Sequence, residues 1–175
     1  EIPSVSPAGD IVTGIGNGAF TGASFTSVAL PETLETIGNN AFAYNKVLKT
    51  MVIPEGVTTI NNYTFRNCSS LTTVTIPASV IGIGNYAFNG CTALTTVNYS
   101  GTAEQWSKIS VGSNNAPLTN LQPVIHSYNW VVTTEPTCTQ TGLETGTCAC
   151  GATATRVIPT IAHTYTWIET ATSTC

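Results

Sequence analysis

Phe20, Phe42, Phe65 and Phe88 recur after 22, 23 and 23 residues, and each closes a copy of one phrase: IGNGAF (15–20), IGNNAF (37–42), INNYTF (60–65) and IGNYAF (83–88). A second series keeps the same step: FTSVALP (25–31), LKTMVIP (48–54), LTTVTIP (71–77) and LTTVNYS (94–100). A third follows each proline, as PETLETIG from Pro31, PEGVTTIN from Pro54 and PASVIGIG from Pro77. Three sub-motifs held in one register at a period in the twenties exclude most globular plans. Each repeat is one turn of a coil, and the turns make a solenoid.

One turn can be read residue by residue. In LTTVTIP, Leu71, Val74 and Ile76 face inward while Thr73 and Thr75 face outward, as the two-residue period of a strand requires. Pro77 ends the strand because it cannot donate to a ladder. Val80 and Ile83 return to the core, Gly84-Asn85 is expected to supply a bend with positive φ, and Ala87-Phe88 closes the far side. Asn61 replaces the glycine in the third copy, and asparagine is the next most tolerant of that conformation. Burial of each large apolar side chain contributes roughly 1.5–3 kcal/mol, and ordering about 23 residues costs more than one turn alone can recover, so turns must stack. The expectation is four stacked turns with strands near 25–30, 48–53, 71–76 and 94–99 in one parallel sheet.

The L-x-x-V-x-I-P strand, the V-x-x-I-G-x-x-A-F return and the Cys-x-x-Leu link at Cys68–Leu71 and Cys91–Leu94 resemble the BspA-like (treponemal-type) leucine-rich repeats, over residues 11–100. The resemblance implies a mainly β, right-handed solenoid with a parallel sheet on its concave face. The first turn departs from the pattern: it is one residue short and lacks the cysteine, and the preceding EIPSVSPAGD reads as a cap or a cut edge, a mature or trimmed N-terminus. GIGNYA (82–87) also fits the dinucleotide pattern G-x-G-x-x-A, but that fold needs a helix of ten or more residues after the glycines. A 23-residue turn has no room for one. The phrase is core and bend.

After Asn98 the repeat stops. Thr102 and Gln105 offer a capping box, with Trp106 and Ile109 on one face of a short helix laid over the last turn, and residues 113–125 close as a loop and an extended segment. The solenoid with its cap (about 98–125) therefore takes residues 1–125. HSYNWVVTTEPTC (126–138) then returns as HTYTWIETATSTC (163–175), 37 residues on. Between them two strands, near 143–149 and 152–158 with Cys150-Gly151 at the turn, join a strand at 127–134 in a small three-stranded β-module, 126–162, with 163–175 starting a second copy. This module resembles cysteine-containing β-repeats that follow such leucine-rich repeats in surface proteins of gut anaerobes.

Only 8% of residues are charged, with five Lys+Arg against nine Asp+Glu. Such a chain cannot neutralise a row of phosphates, so nucleic acid is excluded as a partner. No apolar run approaches the ~20 residues of a membrane span. Few lysines and many threonines suit a secreted protein. Cys68 and Cys91 occupy equivalent positions on adjacent turns and read as buried thiols, because parallel side-chain directions disfavour a bridge. Cys138 is expected to pair with Cys148 or Cys150 as a staple for a module with little core, free thiols being one alternative. Zinc held by these with His126 or His163 is another, though Cys-x-Cys departs from the usual ligand spacing, and neither metal nor cofactor is expected.

The catalytic inventory is thin: Asp10 is the single Asp, and both histidines belong to the second repeat, so no Ser-His-Asp or Cys-His set assembles. Glu32 and Glu55 are stacked equivalents near the spacing of glycosidase carboxylates, but both follow a turn proline and read as solvated. What remains is the strand face, with Thr50, Thr73 and Thr96 in one row, Val52, Thr75 and Asn98 in the next, and Lys49 at the rim. It suits a protein or glycan partner on a host or neighbouring cell surface. The reading is a non-enzymatic extracellular module for adhesion or protein–protein interaction. Tyr128, Trp130, Tyr165 and Trp167 form an alternative sugar-stacking strip, and self-assembly into filaments or spacers is a third possibility for an end-to-end array.

Overall fold

The computed structural model describes residues 1–125, 128–137, 140–148 and 153–158, with backbone alone at 128–130, 148, 154 and 156. The chain divides into two compact units, Glu1–Ser127 and Tyr128–Cys175. The first unit runs β1 (Gly14–Ile15), β2 (Thr36–Ile37), β3 (Thr50–Val52), β4 (Thr59–Ile60), β5 (Thr73–Ile76), β6 (Gly82–Ile83), β7 (Thr96–Tyr99), α1 (Ala103–Ser107), β8 (Ser110–Val111), α2 (Ala116–Thr119) and β9 (Val124–Ile125). It is a solenoid of short parallel rungs. β3, β5, β7 and β9 form one parallel sheet on the strand arc; β1 with β2, and β4 with β6 and β8, form two more on the return arc.

The expected inward residues are the core. Leu71, Val74, Ile76, Val80 and Ile83 are all buried, as are Leu48, Met51, Ile53, Val57 and Ile60 on the turn before. Down the middle runs a stack of rings: Phe20 on Phe42 at 5.4 Å, Phe42 on Phe65 at 5.6 Å and Phe65 on Phe88 at 5.3 Å, interplanar angles 15°, 8° and 27°. Each ring position is fixed by a rung of backbone bonds, Phe20 N to Ala41 O, Phe42 N to Thr64 O and Phe65 N to Ala87 O. The 22-to-23-residue step is thus the contour length of one closed turn.

Three expectations need correction. Residues 25–30 do not form a strand: Lys49 N still donates to Thr26 O, but beyond that point the backbone donates nothing to β3, and Ala29 O instead accepts from Ile2 N. The residue missing from the first turn falls before Phe25, and Thr26 still pairs with Lys49 at the 23-residue step, so the strand is lost only past Thr26, where the N-terminal segment takes the Ala29 carbonyl. The fourth strand of the sheet comes from the other end, β9, whose Val124 aligns with Asn98. The cap therefore contributes a fifth rung, β8 and β9, to the four turns read from the sequence.

The Gly-Asn pair is also not where φ turns positive. The left-handed residue is the next one, Gly18, Asn40, Tyr63, Tyr86 and Asn114 in successive turns, with φ of 65°, 56°, 61°, 57° and 63°. Glycine at 38 and 84 answers to crowding instead. A Cβ on Gly38 would lie 2.6 Å from Asn17 N, and one on Gly84 2.6 Å from Asn62 N. Asn61 brings that Cβ in the third copy, and there the return sheet breaks between β2 and β4. Elsewhere the glycine N–H donates to the isoleucine carbonyl of the previous turn, as Gly38 to Ile15 and Gly84 to Ile60. At Asn61 the side-chain Nδ2 donates to Ile37 O instead, at 2.7 Å.

In the cap, Thr102 and Gln105 form the expected capping box: Thr102 Oγ1 accepts from Gln105 N, and Gln105 Oε1 accepts from Thr102 N. Trp106 packs edge-on against Tyr99, ring centroids 5.1 Å apart, and Ile109 is buried. Helix α2 was not foreseen. Its N-terminal neighbour Asn115 is 3% exposed and does the work of a further turn, accepting from Phe88 N at 2.9 Å and donating to Gly84 O and Gly112 O.

The second unit is an antiparallel sheet of β10 (Tyr128–Thr134), β11 (Gly142–Cys148) and β12 (Thr153–Ile158), in that order, close to the expected strands. A bulge falls between Val132 and Thr134. Gly142 is required there, since a Cβ would lie 2.5 Å from Thr134 O.

Candidate functional site

The strand arc presents the rows read from the sequence. Thr50, Thr73 and Thr96 align across β3, β5 and β7, and Val52, Thr75 and Asn98 align two residues on, with Val124 of β9 extending the second row. Alternation with Met51, Val74 and Val97, all buried, turns these side chains away from the core. Thr50 and Lys49 are exposed, Val52 is 60% exposed, and Thr73, Thr75, Thr96 and Asn98 are half-buried by one another. Asn98 Nδ2 reaches Thr75 Oγ1 at 3.5 Å, a contact too long to fix either group. Along the rim Thr72 Oγ1 donates to Lys49 O at 3.0 Å and Thr95 Oγ1 to Thr72 O at 3.3 Å, a second ladder that the sequence did not announce. The face is flat, hydroxyl-rich and bears one cation at its edge. It offers no nucleophile with a base beside it.

Comparison with known families places this geometry. The family described as BspA type leucine rich repeat region matches residues 9–121, in six copies. The chain belongs to the BspA-type leucine-rich-repeat family. Two solved structures are similar to it. One is a leucine rich cell surface protein from Faecalibacterium prausnitzii, 33% identical, covering 58% of this chain and 33% of its own, with a TM-score of 0.48. The other is a leucine-rich repeat protein from Bacteroides ovatus, 21% identical, covering 65% of this chain and 41% of its own, with a TM-score of 0.33. The chain thus spans well under half the length of either. No curated protein matches it.

In this BspA-type coil the Cys-x-x-Leu link is a packing device. Cys68 and Cys91 are free, buried thiols. Cys68 Sγ donates to Phe42 O and Cys91 Sγ to Phe65 O, each at 3.1 Å, tying a turn to the one before it. Burial pushes both thiols from an ordinary 9.0 up to about 12; the charge of Cys68 adds to the rise at Cys91, while backbone hydrogen bonds from Asn45 and Cys68 oppose it. Neither thiol is a nucleophile at neutral pH. On the preceding turn Asn45 holds the equivalent place, its Oδ1 accepting from Leu48 N at 3.2 Å and its Nδ2 buried without a partner.

Other predicted residues fall apart from this face. Glu32 and Glu55 are exposed. Tyr99 is buried with its hydroxyl unpartnered, and burial, then the Glu55 charge, raises its pKa. Tyr128, Trp130 and Cys148 lie on described backbone whose side chains are not described; His126, Cys138, Cys150, His163, Tyr165 and Trp167 lie outside the described residues. Among the described residues no group of three His, Cys, Asp or Glu is arranged to hold a metal, and no helix is long and apolar enough to cross a membrane.

Two features of the return arc were missed. Asn17, Asn39, Asn62 and Asn85 form a side-chain ladder, each Oδ1 accepting from the backbone N of the corresponding residue one turn on, at 2.8, 3.1, 2.7 and 2.8 Å, the last to Ser113. The signal was present, since asparagine is the third letter of every copy of the phrase. The other is a stack of Tyr86, Tyr63, Arg66 and Tyr44. Tyr63 and Tyr86 are one period apart, but the Arg66 between two rings has no repeat to mark it.

Proposed function

We propose that the solenoid is a non-catalytic recognition module, displayed outside a bacterial cell, whose β3-β5-β7 face docks a protein or glycan of a host or neighbouring surface. The observation that carries this is the row geometry. Thr50, Thr73 and Thr96, and beside them Val52, Thr75 and Asn98, are aligned on three consecutive rungs and are not needed by the core. Rungs about 5 Å apart make a ridged platform on which a partner lies across several turns. Membership of the BspA-type repeats is consistent with an interaction module. Each contact is weak and exchangeable, so affinity is modest and depends on several rungs together.

The test replaces Thr73, Thr75 and Thr96 together with Glu in the full chain and measures adherence of labelled protein to epithelial-cell monolayers and mucin-coated plates. The variant keeps its circular dichroism spectrum and cooperative melt, while adherence falls at least tenfold. A folded triple variant that adheres like the parent overturns the assignment of the site to this face.

A further inference from the structure

The return arc carries an arrangement that the coil does not require. In the row of left-handed residues, glycine or asparagine suffices at positions 18, 40 and 114, yet Tyr63 and Tyr86 adopt that conformation. A second left-handed row, four residues further along each turn, is Gly22, Tyr44, Asn67 and Gly90. Positive φ disfavours a bulky side chain, and the neighbours show that a smaller residue fits, so three tyrosines sit where the backbone would be easier without them. Strain of this kind, observed first and explained second, points to a use beyond folding.

Two of the rings flank a cation, and the third stacks on one of them. Tyr63 and Tyr86 stack at 5.2 Å with 16° between planes, and the Arg66 guanidinium carbon lies 5.5 Å from the Tyr63 ring centroid and 5.7 Å from that of Tyr44. Arg66 is half-buried, and its Nε is screened from water with no hydrogen-bond partner. Among the described residues Arg66 has no carboxylate partner, and the Glu104–Lys108 ion pair lies elsewhere, in α1 and its cap. A partly desolvated guanidinium facing only ring quadrupoles has donors left over. Its planar fork matches an oxyanion.

We infer that Tyr44, Tyr63, Arg66 and Tyr86 form a binding site for an acidic sugar, separate from the strand face. The anionic group takes the Nη donors of Arg66, and the tyrosines, apolar in body and hydroxylated at the tip, take the pyranose beside it. A site with one cation, on a chain of net charge −4, suits a ligand with a single charge and not a polyanion.

Titration calorimetry of the full chain with 3′-sialyllactose, 3′-sulfated lactose and lactose tests this, because the three share a core and differ in one charged group. Either acidic probe binds at least tenfold more tightly than lactose, and the preferred one distinguishes a carboxylate from a sulfate. Arg66→Gln reduces that binding at least tenfold, and Arg66→Lys does not restore it. Tyr63→Asn and Tyr86→Asn each weaken it several-fold without lowering the melting temperature, since asparagine already occupies the same row at positions 40 and 114. Equal binding of all three probes, no binding of the acidic ones, or folded Arg66→Gln protein that binds like the parent overturns the inference.

Discussion

Thr73 and Asn85 both turn away from the core, one on the strand arc and one on the return arc. The Thr73 hydroxyl makes no hydrogen bond among the described residues. Asn85, though exposed, accepts from Ser113 N and Ser113 Oγ while its own N–H donates to Asn62 Oδ1. The strand arc settles its backbone groups in ladders and leaves its outward side chains free. The return arc bends too sharply for a long ladder, with strands of two residues each, and recruits side chains to satisfy the backbone that remains. Outward positions are therefore available for recognition on one arc and committed to structure on much of the other.

The largest test of that contrast lies within one strand. Leu71 is fully buried, and Leu71→Asp places an unpaired charge in the core, costing more than about 5 kcal/mol and abolishing the cooperative melt. Thr73→Glu, two residues away on the opposite face, shifts stability by no more than about 0.5 kcal/mol. A native-like melt for Leu71→Asp sinks the register.

A smaller effect comes from the two thiols joining the arcs. The thiol titrates near 9.0 in the unfolded chain and near 12 in the folded one, so the folded state favours the neutral form. Its contribution is complete below pH 9 and is lost as pH rises towards 12, at about 1 kcal/mol per pH unit for each thiol. Urea unfolding between pH 8.5 and 11 shows this slope, and the Cys68→Ala, Cys91→Ala double variant flattens it. An unchanged slope in the double variant means that the thiols are accessible.

The finest test separates two glycines of one phrase. Gly84→Ala drives a Cβ to within 2.6 Å of the Asn62 backbone and costs about 1–3 kcal/mol, whereas Gly82→Ala meets Thr59 at an ordinary 3.9 Å and is neutral or stabilising by a few tenths of a kcal/mol. Equal melting temperatures for the two variants show that the return arc is not crowded.

The period, the inward series Leu71, Val74 and Ile76, the outward threonine rows, the helix cap of Thr102 with Gln105 and the three strands of the second unit were all legible in the sequence. Each rests on interactions within a few residues, or on a spacing that repeats, and both are written along the chain. The tertiary structure alone decided the rest. Residues 25–30 read as a strand, but past Thr26 their backbone does not pair with β3 and Ala29 O accepts from Ile2 N, while Val124-Ile125, with no repeat to mark them, complete the sheet. Glycine at 84 reads as a conformational need, and only the position of Asn62 on the previous turn shows that it is a need for space. Asn115 and Arg66 lie outside any period, and their roles come from what the stacking of turns brings beside them: an open Phe88 N–H for one, two tyrosine rings for the other. A solenoid's sequence specifies the turn; contacts between turns depend on the rise from one rung to the next, which no single turn contains.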